Sequence, residues 1–558
     1  MTRATVLSSF NGLRLRRPVL NPTTHQSRSA VKTPIRFALV CLAVLSALLA
    51  ANAALASAAP AAKPNIVIIL ADDLGYGDVA YNHPASKIPT PHLDRLGAQG
   101  LRFTDAHSSS GVCSPSRYAL LTGRYHWRTG RSGIVSPFGP PMIAADRLTL
   151  PRLLQQHGYR TAAIGKWHLG WNWPMTPAEA KTYSTKPTDP AAPTMLARAR
   201  AIFVQPIAGG PTTRGFDSYF GTDVPNWPPY AFIENDHVLG VPSVFLPAAL
   251  VGNNQASLHG PALPDWRLDA ILPTLADRAD AFLADAARRP EPFFLYLPLT
   301  TPHTPLAVAS EWRGRSGLNL YADLVMQTDA VVGRLLATLD RTGAAKNTLV
   351  IFTSDNGCAD YIGVKELTDA GHFPSGPFRG YKTDAWEGGH RIPFFVRWPG
   401  VVAPGGVTPH LTHHADVMAT VAEMLGARLP ANAAEDSFTI LPVLRGQPAT
   451  ARPHAVNQSN RGTLALRRGD WKLIFGHGSD GPRKDTDPSP ARLYNLAADP
   501  GETKNLVGTQ PALAAELTAL MQRLVADGRS TPGAPQKNDA ALTVPWSAPA
   551  APSPATKK

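Results

Sequence analysis

Two stretches, NIVIILADD (Asn65 to Asp73) and NTLVIFTSDNG (Asn347 to Gly357), share one grammar: an apolar, β-branched run that ends abruptly in oxygen donors. Asp72, Asp73, Asp355 and Asn356 are hard ligands, suited to calcium or magnesium rather than zinc. Carboxylates at strand ends also serve as helix caps, so these four need further company to count as a site. SGVCSPSRYALLTGRY (Ser110 to Tyr125) supplies some of it. Pro115 is tolerated in a first helical turn, Ser114 is the expected N-cap, and the helix should run to Gly123. Cys113 then sits at a helix N-terminus, where backbone N–H groups and the dipole favour an anion, with Arg117 one turn further on. A buried structural cysteine is the plain alternative for this stretch alone. GYRTAAIGKWHLG (Gly158 to Gly170) adds Lys166 and His168, a third apolar run ends at His303, and FRGYKTDAWEGGHRIPFFVRWPG (Phe378 to Gly400) adds Lys382. Singly these are ordinary solvated or satisfied side chains. Together, a hard cation, fixed positive charges and histidines describe a pocket for a tetrahedral oxyanion undergoing displacement.

Positioning such a set requires strands that all end on one edge. The runs at 65–71, 347–354 and 291–298 read as buried parallel strands. YADLVMQTDAVVGRLLATLDRTG places Leu324, Thr328, Val331, Leu335 and Leu339 at helical spacing and stops at Gly343. Strands alternating with helices predict an α/β fold: a doubly wound, mostly parallel sheet flanked by helices, with ligands at the carboxyl ends of the strands. Residues 171–265, rich in proline, alanine and aromatics, read as long surface loops near a pocket mouth, with Trp171, Trp173, Trp227 and Tyr230 as ordinary loop packing. From about His454 the pattern changes to short strands and a helix carrying Leu513, Leu517, Leu520 and Leu524 on one face. A smaller C-terminal α+β subdomain over 446–528 follows, and the Pro/Ala-rich segment 529–558 is expected to be disordered.

The chain has 558 residues and a formal charge of +13, but no acidic residue precedes Asp72. Seven basic residues precede or flank the run FALVCLAVLSALLAANAALASAA, the order of a charged leader, an apolar core and a small-residue cleavage site. Cleavage after Ala56 or Ala58 would lower the charge to +6, so the basic balance is a targeting signal. No later basic stretch is interleaved with aromatics, which argues against nucleic acid. A membrane anchor is the rival reading of the leader, weakened by Asn52 and the alanines. Residues 1–58 are therefore expected to be a signal peptide and the protein to be exported, periplasmic or secreted. Once Cys41 leaves with the leader, Cys113 and Cys358 are too few for a disulfide scaffold.

With these residues in view, the chain resembles the formylglycine-dependent sulfatases of the arylsulfatase type, in the alkaline-phosphatase-like superfamily. CSPSRYALLTGR matches the family signature and GYRTAAIGKWHLG its second motif. The ADD, TPH, SDNG and K-T-x-x-x-E-G-G-x-R-x-P elements follow in the family's order, over roughly 62–505. The resemblance implies a catalytic domain over 59–445, and a maturation enzyme that oxidises Cys113 to formylglycine while the chain is unfolded. It also implies calcium bound by Asp72, Asp73, Asp355, Asn356 and the modified Cys113. Arg117, Lys166, His168 and Lys382 match residues around the sulfate, and His303 matches the histidine facing the leaving group; Cys358 matches no functional position. The expected reaction is hydrolysis of sulfate monoesters, of sulfated saccharides in nature and of aryl sulfates in the laboratory. A phosphate or phosphonate monoester hydrolase, and a non-catalytic sulfated-glycan-binding protein, are the alternatives.

Overall fold

The computed structural model describes residues 63–184, 192–246, 248–251, 257–481 and 485–544. The leader lies outside the described residues. All of the described residues fall in one unit, Lys63–Lys558.

Alternation along the central strands explains why they form a sheet covered on both faces. In β1 (Asn65–Ala71) Ile66, Ile68 and Leu70 enter one core, while Val67, Ile69 and Ala71 enter the other. The remaining strands of the main sheet are β2 (Leu101–Phe103), β3 (Arg160–Lys166), β4 (Ser218–Thr222), β5 (Ile233–Glu234), β6 (His237–Val238), β7 (Phe293–Pro298), β8 (Thr348–Ser354), β9 (Phe394–Arg397) and β10 (Gly406–Thr408). Ten strands lie in the order β10-β2-β9-β8-β1-β7-β3-β4-β5-β6. β8, β1, β7, β3 and β4 run parallel, whereas β9, β5 and β6 enter antiparallel to their neighbours. The sheet is thus mixed at both edges around a parallel centre, as α/β folds allow.

Helix α1 (Pro91–Ala98), α3 (Ile271–Ala286) and α4 (Leu320–Arg341) cover one face, and α2 (Cys113–Thr122) the other. Cys358 is a fully buried member of the α3/α4 core. Residues 171–265, expected as surface loops, instead contribute β4, β5 and β6, and Trp171, Trp173, Trp227 and Tyr230 are buried. Two-residue strands carry too short an alternation to be read from sequence.

At the C-terminal end, β11 (Ala455–Gln458), β12 (Leu464–Arg468), β13 (Trp471–Ile474) and β14 (Arg492–Asn495) form an antiparallel sheet. Helix α5 (Pro511–Ala526) packs on it through Leu517, Met521 and Leu524, in a core shared with Tyr125 and Trp127 from the segment after α2. The change of architecture near residue 446 therefore lies inside one unit. The stretch 529–544 departs from the expected disorder. Asp539 accepts a bidentate pair of hydrogen bonds from Arg124 (2.9 and 3.0 Å), Asn538 accepts one from Arg128 (3.1 Å), and Leu542 and Val544 pack on the same core. Buried Arg124 and Arg128 need acceptors, and this segment supplies them.

Candidate active site

Every strand of the parallel centre delivers a polar residue at its carboxyl end. Asp72 and Asp73 follow β1, Lys166 closes β3, Asp223 follows β4, His303 lies on the loop after β7, and Asp355 and Asn356 follow β8. Cys113 comes from across this edge as the first residue of α2. The N-cap is Val112 in extended backbone, not Ser114, whose hydroxyl instead accepts from the Val135 N–H at 3.0 Å. Gly123 ends the helix with a left-handed φ of 65°, as its position in the sequence predicts.

The side chains interlock around the Cys113 sulfur. Its thiol donates to Asp72 Oδ1 at 3.5 Å, and Lys166 Nζ lies 3.5 Å from the sulfur while donating to Asp72 Oδ2 at 2.7 Å. Arg117 forks onto Asp355 Oδ2 (3.1 and 2.7 Å), reaches within 3.6 Å of Asp72, and spends its third nitrogen on the Lys166 carbonyl (2.8 Å). Lys382 Nζ donates to Asp73 Oδ2 at 2.7 Å, and His303 Nε2 lies 3.7 Å from the same oxygen. Asn356 Nδ2 donates to Asp73 Oδ1 at 2.7 Å, and the Asp73 N–H donates to Asp355 Oδ1 at 3.2 Å. All nine of these residues are brought together. His168 stands beside them: its Nε2 faces the Val135 carbonyl at 3.3 Å and its ring meets Trp227 edge to face at 5.1 Å. Asp73 (φ 64°) and His168 (φ 49°) both hold left-handed backbone, a cost that folds tolerate where side chains must be aimed.

Electrostatics follows from burial against opposed charges. Burial would raise Asp72, but Lys166, His303 and Arg117 override it and hold the carboxyl well below its usual range. Asp355 goes the other way, pushed up to about 7 by burial and by the neighbouring Asp72. Burial and Asp355 push the Cys113 thiol far up, and with 1 % exposure it is no thiolate nucleophile. Burial, Lys166 and Arg117 keep His168 neutral, and burial with Lys382 brings His303 down to about 4.

Oxygen donors here fit a hard cation. Ligand atoms of Asp72, Asp73, Cys113 and His303 lie within 4.8 Å of one another. Buried Asn356 Oδ1 has no hydrogen-bond partner among the described residues, an amide oxygen that a cation would satisfy. A second cluster, His107, Glu387 and His390, is already neutralised: Lys472 donates to Glu387 at 3.0 Å and Arg391 at 2.8 Å.

Loop anchoring comes from both ends of the chain. Gln458, on β11, donates its N–H to the Ser109 carbonyl (3.0 Å), and its own carbonyl accepts from Ser110 Oγ (2.7 Å) and Gly111 N–H (3.2 Å); its side-chain oxygen meets His126 Nε2 at 2.7 Å. The glycines of AWEGG are structural: a Cβ on Gly388 would lie 2.2 Å from the Gly380 carbonyl oxygen. Asp223 is the residue that sequence reasoning passes over, although TDV after β4 repeats the strand-then-carboxylate signal.

Comparison with known proteins gives the family. A sulfatase family profile matches residues 64–427. The chain is 33% identical over 498 residues to an N-acetylgalactosamine-6-O-sulfatase of Bacteroides thetaiotaomicron, covering 82% of this chain and 93% of that protein. It is 34% identical over 512 residues to human arylsulfatase A, covering 86% and 90%. A solved Bacteroides thetaiotaomicron sulfatase structure, described with the metabolism of multiple glycosaminoglycans, superposes with a TM-score of 0.71 at 32% identity, covering 83% of this chain and 99% of that one.

Proposed function

Because the chain belongs to the sulfatase family and is an enzyme that hydrolyses sulfate esters, we propose that it is a carbohydrate sulfatase whose nucleophile is a hydrated aldehyde derived from Cys113. The supporting observation is the convergence of Lys166, Arg117 and Lys382 with Asp72, Asp73, Asp355 and Asn356 on a buried sulfur that is itself unfit to attack. When present, the aldehyde hydrate supplies an oxygen nucleophile with a second hydroxyl on the same carbon, and calcium supplies charge neutralisation at the sulfate oxygens. Asp72, Asp73, Asp355 and Asn356 would hold the cation.

Each remaining residue has a task its surroundings support. Asp355, whose Oδ2 is oriented by the Arg117 fork, takes the proton of the attacking hydroxyl. Lys166, Arg117 and Lys382 offset charge on the sulfuryl oxygens. His303, beside Asp73 and at the end of the set, gives a proton to the departing alcohol, and the negative charge of a bound ester favours its protonated form. His168, kept neutral, accepts the proton of the second hydroxyl, and Val135 facing Nε2 leaves Nδ1, which has no partner among the described residues, as the base. A sulfate monoester plus water gives an alcohol and inorganic sulfate.

The carbohydrate assignment is supported by the relative named for N-acetylgalactosamine 6-sulfate. Export to the periplasm or medium, by the basic leader, belongs to the same reading. So does a maturation enzyme acting before folding, because folded Cys113 is 1 % exposed. Peptide mass spectrometry tests the proposal: active preparations should show a Cys113 peptide lighter than the thiol form and reactive with hydrazides. Full activity with only the thiol mass would refute it.

A further inference from the structure

Asp223 occupies the fifth strand end of the parallel centre, next to His168 and outside the set of matched residues. Its backbone carbonyl and its Oδ1 both accept from the His168 N–H, each at 3.2 Å, and Oδ1 also accepts from the Trp171 indole N–H at 3.2 Å. The Trp167 N–H donates to the Thr222 carbonyl at 3.0 Å, so β4 continues the pairing of β3 into the turn that carries Lys166 and His168. Oδ1 is therefore committed to holding the left-handed His168. Oδ2 has no partner among the described residues, and the side chain keeps partial exposure where the protein around it is otherwise buried. A carboxylate that spends one oxygen on structure and leaves the other open, beside a fixed imidazole, is an acceptor awaiting a donor.

The surroundings say what donor. Beyond Asp223 the loop turns through Asn226 and Trp227, and Trp227 packs edge to face against the His168 ring. The loop is rigid: the Tyr230 hydroxyl donates to the Asn226 carbonyl at 2.9 Å, which also accepts from the Leu258 N–H at 3.0 Å. An open carboxylate oxygen on a preorganised wall suits a hydroxyl on the molecule whose sulfate lies at Lys166 and Cys113, and its negative charge repels a second sulfate in the same place.

We propose that Asp223 Oδ2 accepts a hydrogen bond from a hydroxyl on the carbon next to the one bearing the sulfate ester, so that the enzyme selects sulfate esters with a free neighbouring hydroxyl. The inference rests on the proposed reading of the cleft around Cys113 and adds the substrate group that the cleft selects. The test compares nitrocatechol sulfate, which carries that hydroxyl, with nitrophenyl sulfate, which lacks it, in the wild-type enzyme and in Asp223→Asn and Asp223→Ala. The quantity read is the ratio of the two kcat/KM values, which is independent of the fraction of folded, matured enzyme; comparing it between variants cancels the intrinsic reactivity of the phenols. A charge-assisted hydrogen bond lost from the first substrate alone lowers that ratio by about 10- to 100-fold in Asp223→Ala, and by less in Asp223→Asn, whose amide can still pair with the hydroxyl. An unchanged ratio, with both rates falling together or with neither falling, would overturn the proposal and leave Asp223 as a support for His168. Failure of every sulfated saccharide as substrate would refute the carbohydrate reading without moving this ratio.

Discussion

His126 carries a separable share of the acid lability of the scaffold. His126 is fully buried between Gln458 Oε1 (2.7 Å) and Ser109 Oγ (3.3 Å), and burial brings its pKa from 6.5 to about 4. The neutral form is the one the fold accepts. A histidine depressed in this way contributes its stability above the unfolded value and loses it as pH falls through the window from 6.5 towards 4. At about pH 5 the unfolded chain binds the proton and the folded one does not, a loss of about 2 kcal/mol, rising to about 3 kcal/mol below pH 4. His126→Gln removes the proton-binding group while leaving an amide N–H to donate to Gln458. Urea unfolding of wild type and variant at about pH 7.5 and about pH 5 separates the effect from any general destabilisation, because only the difference in acid slope is read. The variant should lose about 2 kcal/mol less than wild type between the two pH values. Parallel losses would refute the reasoning and move the acid sensitivity to other buried groups such as His414 or His454.

Further predictions concern the chemistry. Cys113→Ser offers one hydroxyl where the hydrate offers two, so it should release at most one equivalent of alcohol from an activated ester; sustained turnover in a burst assay would contradict the mechanism. His303→Ala should slow esters of poorly acidic alcohols far more than nitrophenyl sulfate, by about 100-fold or more, and equal losses across a leaving-group series would remove it from the general-acid role. Chelation should abolish activity and calcium should restore it better than zinc; rescue by zinc alone would contradict the oxygen-donor argument. Lys166→Ala leaves buried Asp72 without its 2.7 Å partner and should destabilise the cation-free protein by about 3 to 5 kcal/mol, checked by urea unfolding.

Legibility in the sequence followed the strength of local pattern. β1 and β8 are long, β-branched and end abruptly, so the sequence alone puts Asp72, Asp73, Asp355 and Asn356 at one edge. Asp223 follows SYFGT, whose serine, glycine and lack of alternation hide a strand, although its position is equivalent. The short β5 and β6 were lost among prolines for the same reason. The N-cap of α2 lies two residues before the one expected, because a serine beside a proline satisfies the usual preference, while the real cap uses only the extended backbone of Val112. Composition misled over 529–544, since the acceptors at Asn538 and Asp539 serve arginines 410 and 415 residues away, a pairing no local pattern records.

Gln458 gives the folding of this chain a timetable. It fastens Ser109, Ser110 and Gly111, the residues just before Cys113, yet it lies 348 residues after Ser110. Synthesis at about 5 to 20 residues per second delivers it roughly 17 to 70 s later. Until then the loop bearing Cys113 lacks that anchor. The oxidation proposed for Cys113 is thus a race with a deadline set by the position of β11 in the chain. Slower synthesis should raise the modified fraction, and an excess of chains over the maturation machinery should leave correctly folded protein that is permanently inert.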